Sequence, residues 1–345
     1  MSEKTFDYWH FFAQDAARTG SALYARLAEG VGGDEELRGL AALAKPGQPH
    51  ANLLFAAVHF LLLRGADHPL RAFYPDLNGG RPAEGDPFPA FRDFVLAHRA
   101  QLEPLIAARV TNTNEVGRSA LLHPGFRALA QEAGAPLNLI EIGPSAGLNL
   151  MWDRYGVNYK RDGKVAASIA PDAPLVIECE LRGEKIPPTG PTPRVGKRLG
   201  LELNPVDLSN QDDRDWLRAL MWPDQISRLE RLDKAVALFR EHKPEIRQGD
   251  ALVLLSDALR EMPESETVCI CHTIAVYQFS RAMKQTLHDI LTVAGLRRPV
   301  WRLSFEAESF EGRCPITLIR YHDGTRHERE LGHAHPHGTW LEWTA

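Results

Sequence analysis

Cysteine is scarce in this chain: Cys179, Cys269, Cys271 and Cys314 are the only four among 345 residues. None stands in Cys-x-x-Cys spacing, so neither a disulfide framework nor a zinc ribbon is indicated, and reduced thiols with no metal site are expected. Long apolar runs are missing too. The most hydrophobic stretch, residues 51–63, contains His59 and is too short to span a bilayer, so it reads as a buried helix and no membrane partner is expected. Positive charge is not in excess: 40 Lys and Arg against 45 Asp and Glu leave a formal charge of −5. That balance gives no electrostatic footprint for a polyanion, which makes nucleic acid an unexpected partner. The opening Met1-Ser-Glu-Lys-Thr-Phe-Asp-Tyr-Trp-His10 lacks the basic-then-apolar order of a signal peptide, so a cytoplasmic location is expected. No repeat or low-complexity segment stands out. The hydrophobic share of 44% and charged share of 25% are ordinary for a globular chain, and the length suits about two domains.

Residues 1–130 read as a helical N-terminal domain, a cap or substrate domain, with helical patterns at 11–27, 51–64 and 91–109. Between the last two, Pro75, Gly79, Gly80, Pro82, Gly85, Pro87 and Pro89 mark a surface loop. Residues 131–345 alternate strand and helix, the sign of a mostly parallel α/β sheet. Strands are expected at 137–142, 198–203, 245–247, 267–271 and 300–305, with helices at 214–221, 226–240, 252–261 and 280–291. Asp323-Gly324 between residues 315–322 and 327–330 signals a closing antiparallel hairpin.

The densest signal is Leu137-Asn-Leu-Ile-Glu-Ile-Gly-Pro-Ser-Ala-Gly-Leu-Asn-Leu150. A buried strand ending in Glu141 runs into a turn containing Gly143 and Gly147, and a helix is expected over 146–155. Glycines let backbone approach a ligand closely, and a helix start offers free N–H groups. Two chemistries fit the same letters. As Gly143-x-Ser145-x-Gly147 the segment matches the nucleophile elbow of α/β-hydrolases. As Glu141-x-Gly143-x-Ser145-x-Gly147 it resembles the first motif of class I S-adenosylmethionine-dependent methyltransferases. Because no oxyanion loop precedes residue 137, and this strand is the first of its sheet, the second reading is preferred.

Later residues extend the resemblance. Glu202 and Asp207 lie around the end of the second strand, where the family's acid meets the cofactor ribose. Gln248-Gly-Asp250-Ala251 resembles the position that holds the adenine, and Cys269-Ile-Cys-His272-Thr-Ile-Ala-Val-Tyr277 ends the strand that faces the transferred methyl group. The whole chain also resembles a bacterial family of uncharacterised methyltransferase-like proteins. That likeness rests on Ala51-Asn-Leu-Leu-Phe55, His68-Pro-Leu70, Thr111-Asn-Thr-Asn-Glu-Val-Gly-Arg-Ser119, Trp222-Pro-Asp-Gln225 and His335-Pro-His-Gly338. The resemblance implies a Rossmann-like methyltransferase sheet with S-adenosylmethionine as cofactor and a small or medium-sized molecule as acceptor. Implied cofactor residues are Glu141, Gly143, Ser145, Gly147, Glu202, Asp250 and Ala251. His272, Tyr277 and His337 are candidates for proton handling, and Asn114, Glu115 and Arg118 for substrate contact. Trp222-Pro-Asp-Gln225 reads as a helix boundary with a packed indole.

Two departures qualify the match. Gly147 and Glu202 are 55 positions apart (202 − 147), where a plain βαβ step takes about 20. The Pro-rich excess, about 156–196, is read as a lid or substrate-binding insertion. Ser145 also replaces the usual middle glycine. A serine hydrolase using Ser145, Asp250 and one of His333, His335 or His337 is the alternative enzyme; a non-catalytic ligand-binding or scaffold protein is the alternative outside catalysis. The His333/His335/His337 cluster has no clear acid partner in the sequence and is not assigned a metal.

Overall fold

The computed structural model describes residues 7–134, 136–307 and 313–345, so the first six residues of the leader reading lie outside the described residues. Six helices come first: α1 (Tyr8–Arg18), α2 (Ala22–Gly32), α3 (Glu35–Ala41), α4 (His50–Leu63), α5 (Phe88–Ala97) and α6 (Arg99–Ala108). Then α7 (Ser119–Ala133) leads into β1 (Leu137–Ile142), followed by β2 (Gly156–Arg161), β3 (Lys164–Ile169), β4 (Val176–Arg182) and β5 (Val195–Glu202). Next come α8 (Gln211–Ala219), α9 (Ile226–His242), β6 (Glu245–Gln248), α10 (Ala251–Arg260), β7 (Thr267–Thr273), α11 (Arg281–Gly295) and β8 (Val300–Phe305). The chain finishes with β9 (Cys314–His322), β10 (Thr325–Ala334) and β11 (Trp340–Trp343). Two compact units result: Met1–Thr113 with Val206–Glu230, and Asn114–Pro205 with Arg231–Ala345.

The first unit is helical. Its centre is α4, whose Leu53, Leu54, Phe55, Val58 and Leu62 are all fully buried; a helix apolar on every side has no solvent face to present. The pattern read as one helix over 11–27 is broken in two. Gly20 takes φ +88, and the Ser21 hydroxyl accepts the Tyr24 N–H to start α2, so a short cap signal overrides a continuous apolar stripe. The pattern over 91–109 likewise divides at His98, the junction of α5 and α6.

The second unit holds one eleven-stranded sheet in the order β3-β2-β4-β11-β10-β9-β8-β7-β1-β5-β6. Strands β6, β5, β1, β7 and β8 are mutually parallel, and every residue of β1 is buried, as expected for strands covered on both faces. The chain starts in the middle of this parallel group and winds outward both ways, so its order reverses at β1. The hairpin is present: β9 and β10 pair antiparallel around Asp323 (φ +50) and Gly324 (φ +72), the two left-handed residues that such a turn requires.

Two readings of the sequence are sharpened by the structure. The Pro-rich excess is part of the sheet. Its residues build β2, β3 and β4, and β4 pairs parallel with β11, so the sheet continues into it. The reason is alternation: Ile177, Cys179 and Leu181 are buried while Glu178 and Glu180 are exposed, a period-two pattern that one covered sheet face satisfies. Second, α7 belongs to the sheet unit, although residues up to 130 were assigned to the helical domain. Pro124 and Gly125 obscured this helix in the sequence. Pro124 cannot donate to the Ala120 carbonyl four residues earlier, and the Tyr159 hydroxyl donates to that carbonyl instead at 2.6 Å. Gly125 is needed because a Cβ there would come within 2.8 Å of Leu303.

Candidate active site

In a doubly wound sheet, ligands bind beyond the carboxyl ends of the strands where the order reverses. Here that crevice lies at the ends of β1, β5 and β7. The turn 143–147 follows β1, Leu203 and Asn204 follow β5, Gly249 and Asp250 follow β6, and Ile274 to Gln278 follow β7. Gly143 has φ +70 and no room for a Cβ, which would sit 2.7 Å from the Ala275 side chain. Gly147 has φ +83, and a Pro144–Gly147 backbone bond of 2.8 Å closes the turn. The helix expected over 146–155 is a 3-10 segment, Leu148–Arg154, with Met151 outside helical geometry. Leu148 N–H donates to Asn114 Oδ1 at 3.0 Å, so the first N–H of this segment is already used.

The carboxylates are placed differently from one another. Glu202 accepts the Ser145 N–H at 2.8 Å and the Asn204 N–H at 3.0 Å, one with each oxygen, and thereby ties the glycine turn to the end of β5. Glu141 is 2% exposed, and its Oε2 has no hydrogen-bond partner. Burial first, and then the neighbouring Glu202 charge, raises its pKa to about 8 against the pull of Arg118. At neutral pH this carboxyl keeps its proton. The folded state therefore binds a proton that the unfolded chain releases near 4.5, so the stability it contributes is complete below 4.5 and is lost as pH rises to about 8. Glu141→Gln should flatten that decline in urea midpoints measured across this range; equal slopes in both proteins would disprove the assignment.

Asp250 caps α10 by accepting the Leu252 N–H at 2.8 Å, and Ala251 is buried behind it. Asn114, Glu115 and Arg118 are internal ties. Glu115 accepts the Gly117 N–H at 2.9 Å and lies 3.3 Å from Arg231 and 3.6 Å from His337. Arg118 donates to the Thr273 and Pro336 carbonyls, both at 2.8 Å, which joins this loop to the end of β7 and to the 335–338 turn. Gly117 and Gly338 meet so closely that a Cβ on Gly338 would lie 2.2 Å from the Gly117 carbonyl.

His272 is fully buried, with both ring nitrogens engaged. Arg302 Nε donates to its Nε2 at 2.8 Å, which makes Nδ1 the donor to Glu306. Burial and the Arg302 charge lower its pKa, so it orients Glu306 rather than collecting protons from a ligand. Sequence reasoning missed Glu306. It accepts the N–H groups of Ala275, Val276 and Tyr277 at 3.2, 3.1 and 2.8 Å and holds a loop in which Ile274 has φ +53, a costly conformation for a β-branched residue. Its only sequence signal is position, one residue beyond β8. Tyr277 is exposed on that loop. His337 is one-third exposed, whereas His333 is 3.4 Å from Glu330. Two surface clefts, of about 240 Å³ beside Trp301 and Arg320 and about 360 Å³ beside Arg198 and Lys243, lie away from this crevice.

All four cysteines are buried. Among the described residues no group of three His, Cys, Asp or Glu could hold a metal ion, and no helix is long and apolar enough to cross a membrane. Fold and site together define an α/β protein with a doubly wound parallel core and a glycine turn at its point of reversal. The chain belongs to the family described as uncharacterized protein conserved in bacteria (DUF2332), whose model matches residues 7–343. No curated protein and no solved structure matches it.

Proposed function

We propose that the crevice binds an adenosyl cofactor, S-adenosylmethionine, and that the protein is a methyltransferase acting on a small or medium-sized acceptor. One observation supports this most: the glycine turn after β1 stands where strand order reverses, with an acid at the end of β1 and another at the end of β5. The donor set fits a ligand rich in hydroxyl and amino groups. Glu141 Oε2 lacks a partner, and each Glu202 oxygen uses one acceptor position on a backbone amide, leaving lone-pair capacity on both. Gly143, Glu141, Glu202 and Asp250 would hold the cofactor, which supplies an already activated methyl group. The remaining work for the chain is alignment and proton removal. Arg118 and Glu306 fix the loop beyond β7, on which Tyr277 is exposed, and Glu141 keeps a proton in the crevice at neutral pH.

Calorimetric titration with S-adenosylmethionine and S-adenosylhomocysteine tests the reading. Saturable heat with both is expected; no heat and no thermal shift with either would refute it and leave a non-catalytic scaffold or a serine hydrolase. A second reading, a serine hydrolase, draws support from Ser145, whose φ of +55 is the left-handed conformation of a nucleophile elbow. Against it, Ser145 is only 1% exposed. Labelling by a fluorophosphonate probe, lost in Ser145→Ala, would favour this alternative.

A further inference from the structure

The helical unit contains a second concentration of unmatched polar atoms, independent of the crevice. Tyr24 Oη, Tyr74 Oη, Asp76 Oδ1 and Asp224 Oδ1 are all buried without a hydrogen-bond partner. They belong to one neighbourhood. Asp224 Oδ2 accepts the Leu23 N–H, next to Tyr24, at 3.3 Å. Asp76 Oδ2 meets His59 Nε2 at 3.0 Å, and the His59 ring lies 5.4 Å from that of Tyr74. Each tyrosine feels the charge of both aspartates. Native proteins leave few such atoms unmatched, and four together indicate a missing occupant.

Charge and shape narrow its chemistry. The unmatched oxygens of Asp76 and Asp224 are acceptors when ionised, so a group rich in N–H donors answers them. His59 gives its other nitrogen to the Ala219 carbonyl at 3.1 Å. Aromatic rings complete the surroundings: Tyr24 lies 4.7 Å from Phe55 and 5.8 Å from Trp222, a setting that suits an organic cation. Trp222, Asp76 and Asp224 are partly exposed, so the neighbourhood lies near the surface of the unit.

We propose that Tyr24, Tyr74, Asp76 and Asp224 form a binding site for the ammonium group of a small primary amine. Its N–H donors answer the two carboxylates and the phenol oxygens, and the rings of Trp222 and Phe55 flank it. Trp222-Pro-Asp-Gln225, read from sequence as a helix boundary, thus contributes a ligand group through Asp224.

The test uses the full-length protein titrated calorimetrically with methylammonium chloride, potassium chloride and tetramethylammonium chloride at constant ionic strength. Saturable heat with methylammonium alone is expected, weakened about tenfold in Tyr74→Phe and in Asp224→Asn through loss of one charge-assisted hydrogen bond. Circular dichroism verifies that each variant is folded. No heat with methylammonium, or an equal response to potassium, would overturn the site and leave ordered water with a protonated Asp224 as the occupant of this space.

Discussion

Glu202→Ala is expected to abolish measurable binding of S-adenosylmethionine and also to loosen the glycine turn. The substitution removes the acceptors of two backbone N–H groups, Ser145 and Asn204. Each buried amide left unmatched costs about 1–3 kcal/mol. Loss of the ligand's own bonds to the carboxylate accounts for a further weakening of about tenfold or more. Glu202→Gln separates the two effects. Its amide oxygen can still accept one backbone N–H, so it should regain part of the stability while binding stays weak. Chemical denaturation gives the first quantity and calorimetry the second. If Glu202→Ala binds the cofactor as tightly as the wild type, the ribose assignment is wrong.

The second large effect is expected at a residue outside the sequence motifs. Glu306→Ala would strand three backbone N–H groups and the Nδ1–H of His272, and it would release the strained Ile274 from the contacts that hold it. A loss of about 3 kcal/mol is expected, since the loop is partly exposed and water will replace some of the bonds. The crevice should respond as well, because Ala275 sits directly against Gly143. Glu306→Gln keeps an acceptor oxygen and should lose less. Burial raises the Glu306 pKa, but His272 and the amides of Ala275 and Tyr277 more than offset this and lower it below the ordinary value. The clamp's stability is therefore present at neutral pH and lost on acidification through that lowered value. Urea midpoints of the wild type and both variants test this; unchanged midpoints would show that the loop holds itself.

Much of the parallel core was legible because its cause is local. The strands expected at 137–142 and 300–305 have the bounds the structure gives β1 and β8, and the other three parallel strands differ by a few residues at their ends. Continuous apolar runs between turn residues leave few alternatives. The Asp323-Gly324 turn was equally plain, since left-handed φ values restrict residue choice. Helix division was harder. One apolar stripe ran through Gly20 and Ser21, and only the cap bond to Tyr24 reveals the break.

The candidate site divides in the same way. Gly143, Gly147, Glu141 and Glu202 could be selected from their spacing along the chain. Their partners could not: Glu202 reaches Ser145 across 57 positions, and Glu306 reaches the loop after β7 across about 30. Nothing local encodes such pairings.

The sequence by itself determined a parallel α/β core with a glycine turn and a helical region before it, because periodicity and backbone freedom are properties of neighbouring residues. Tertiary structure alone decided that the Pro-rich segment joins the sheet, that α7 belongs with it, and that His272 serves Glu306. It also brought Tyr24, Tyr74, Asp76 and Asp224 together. Those outcomes depend on which distant backbone and side-chain groups satisfy one another away from water, and that is settled only when the chain closes.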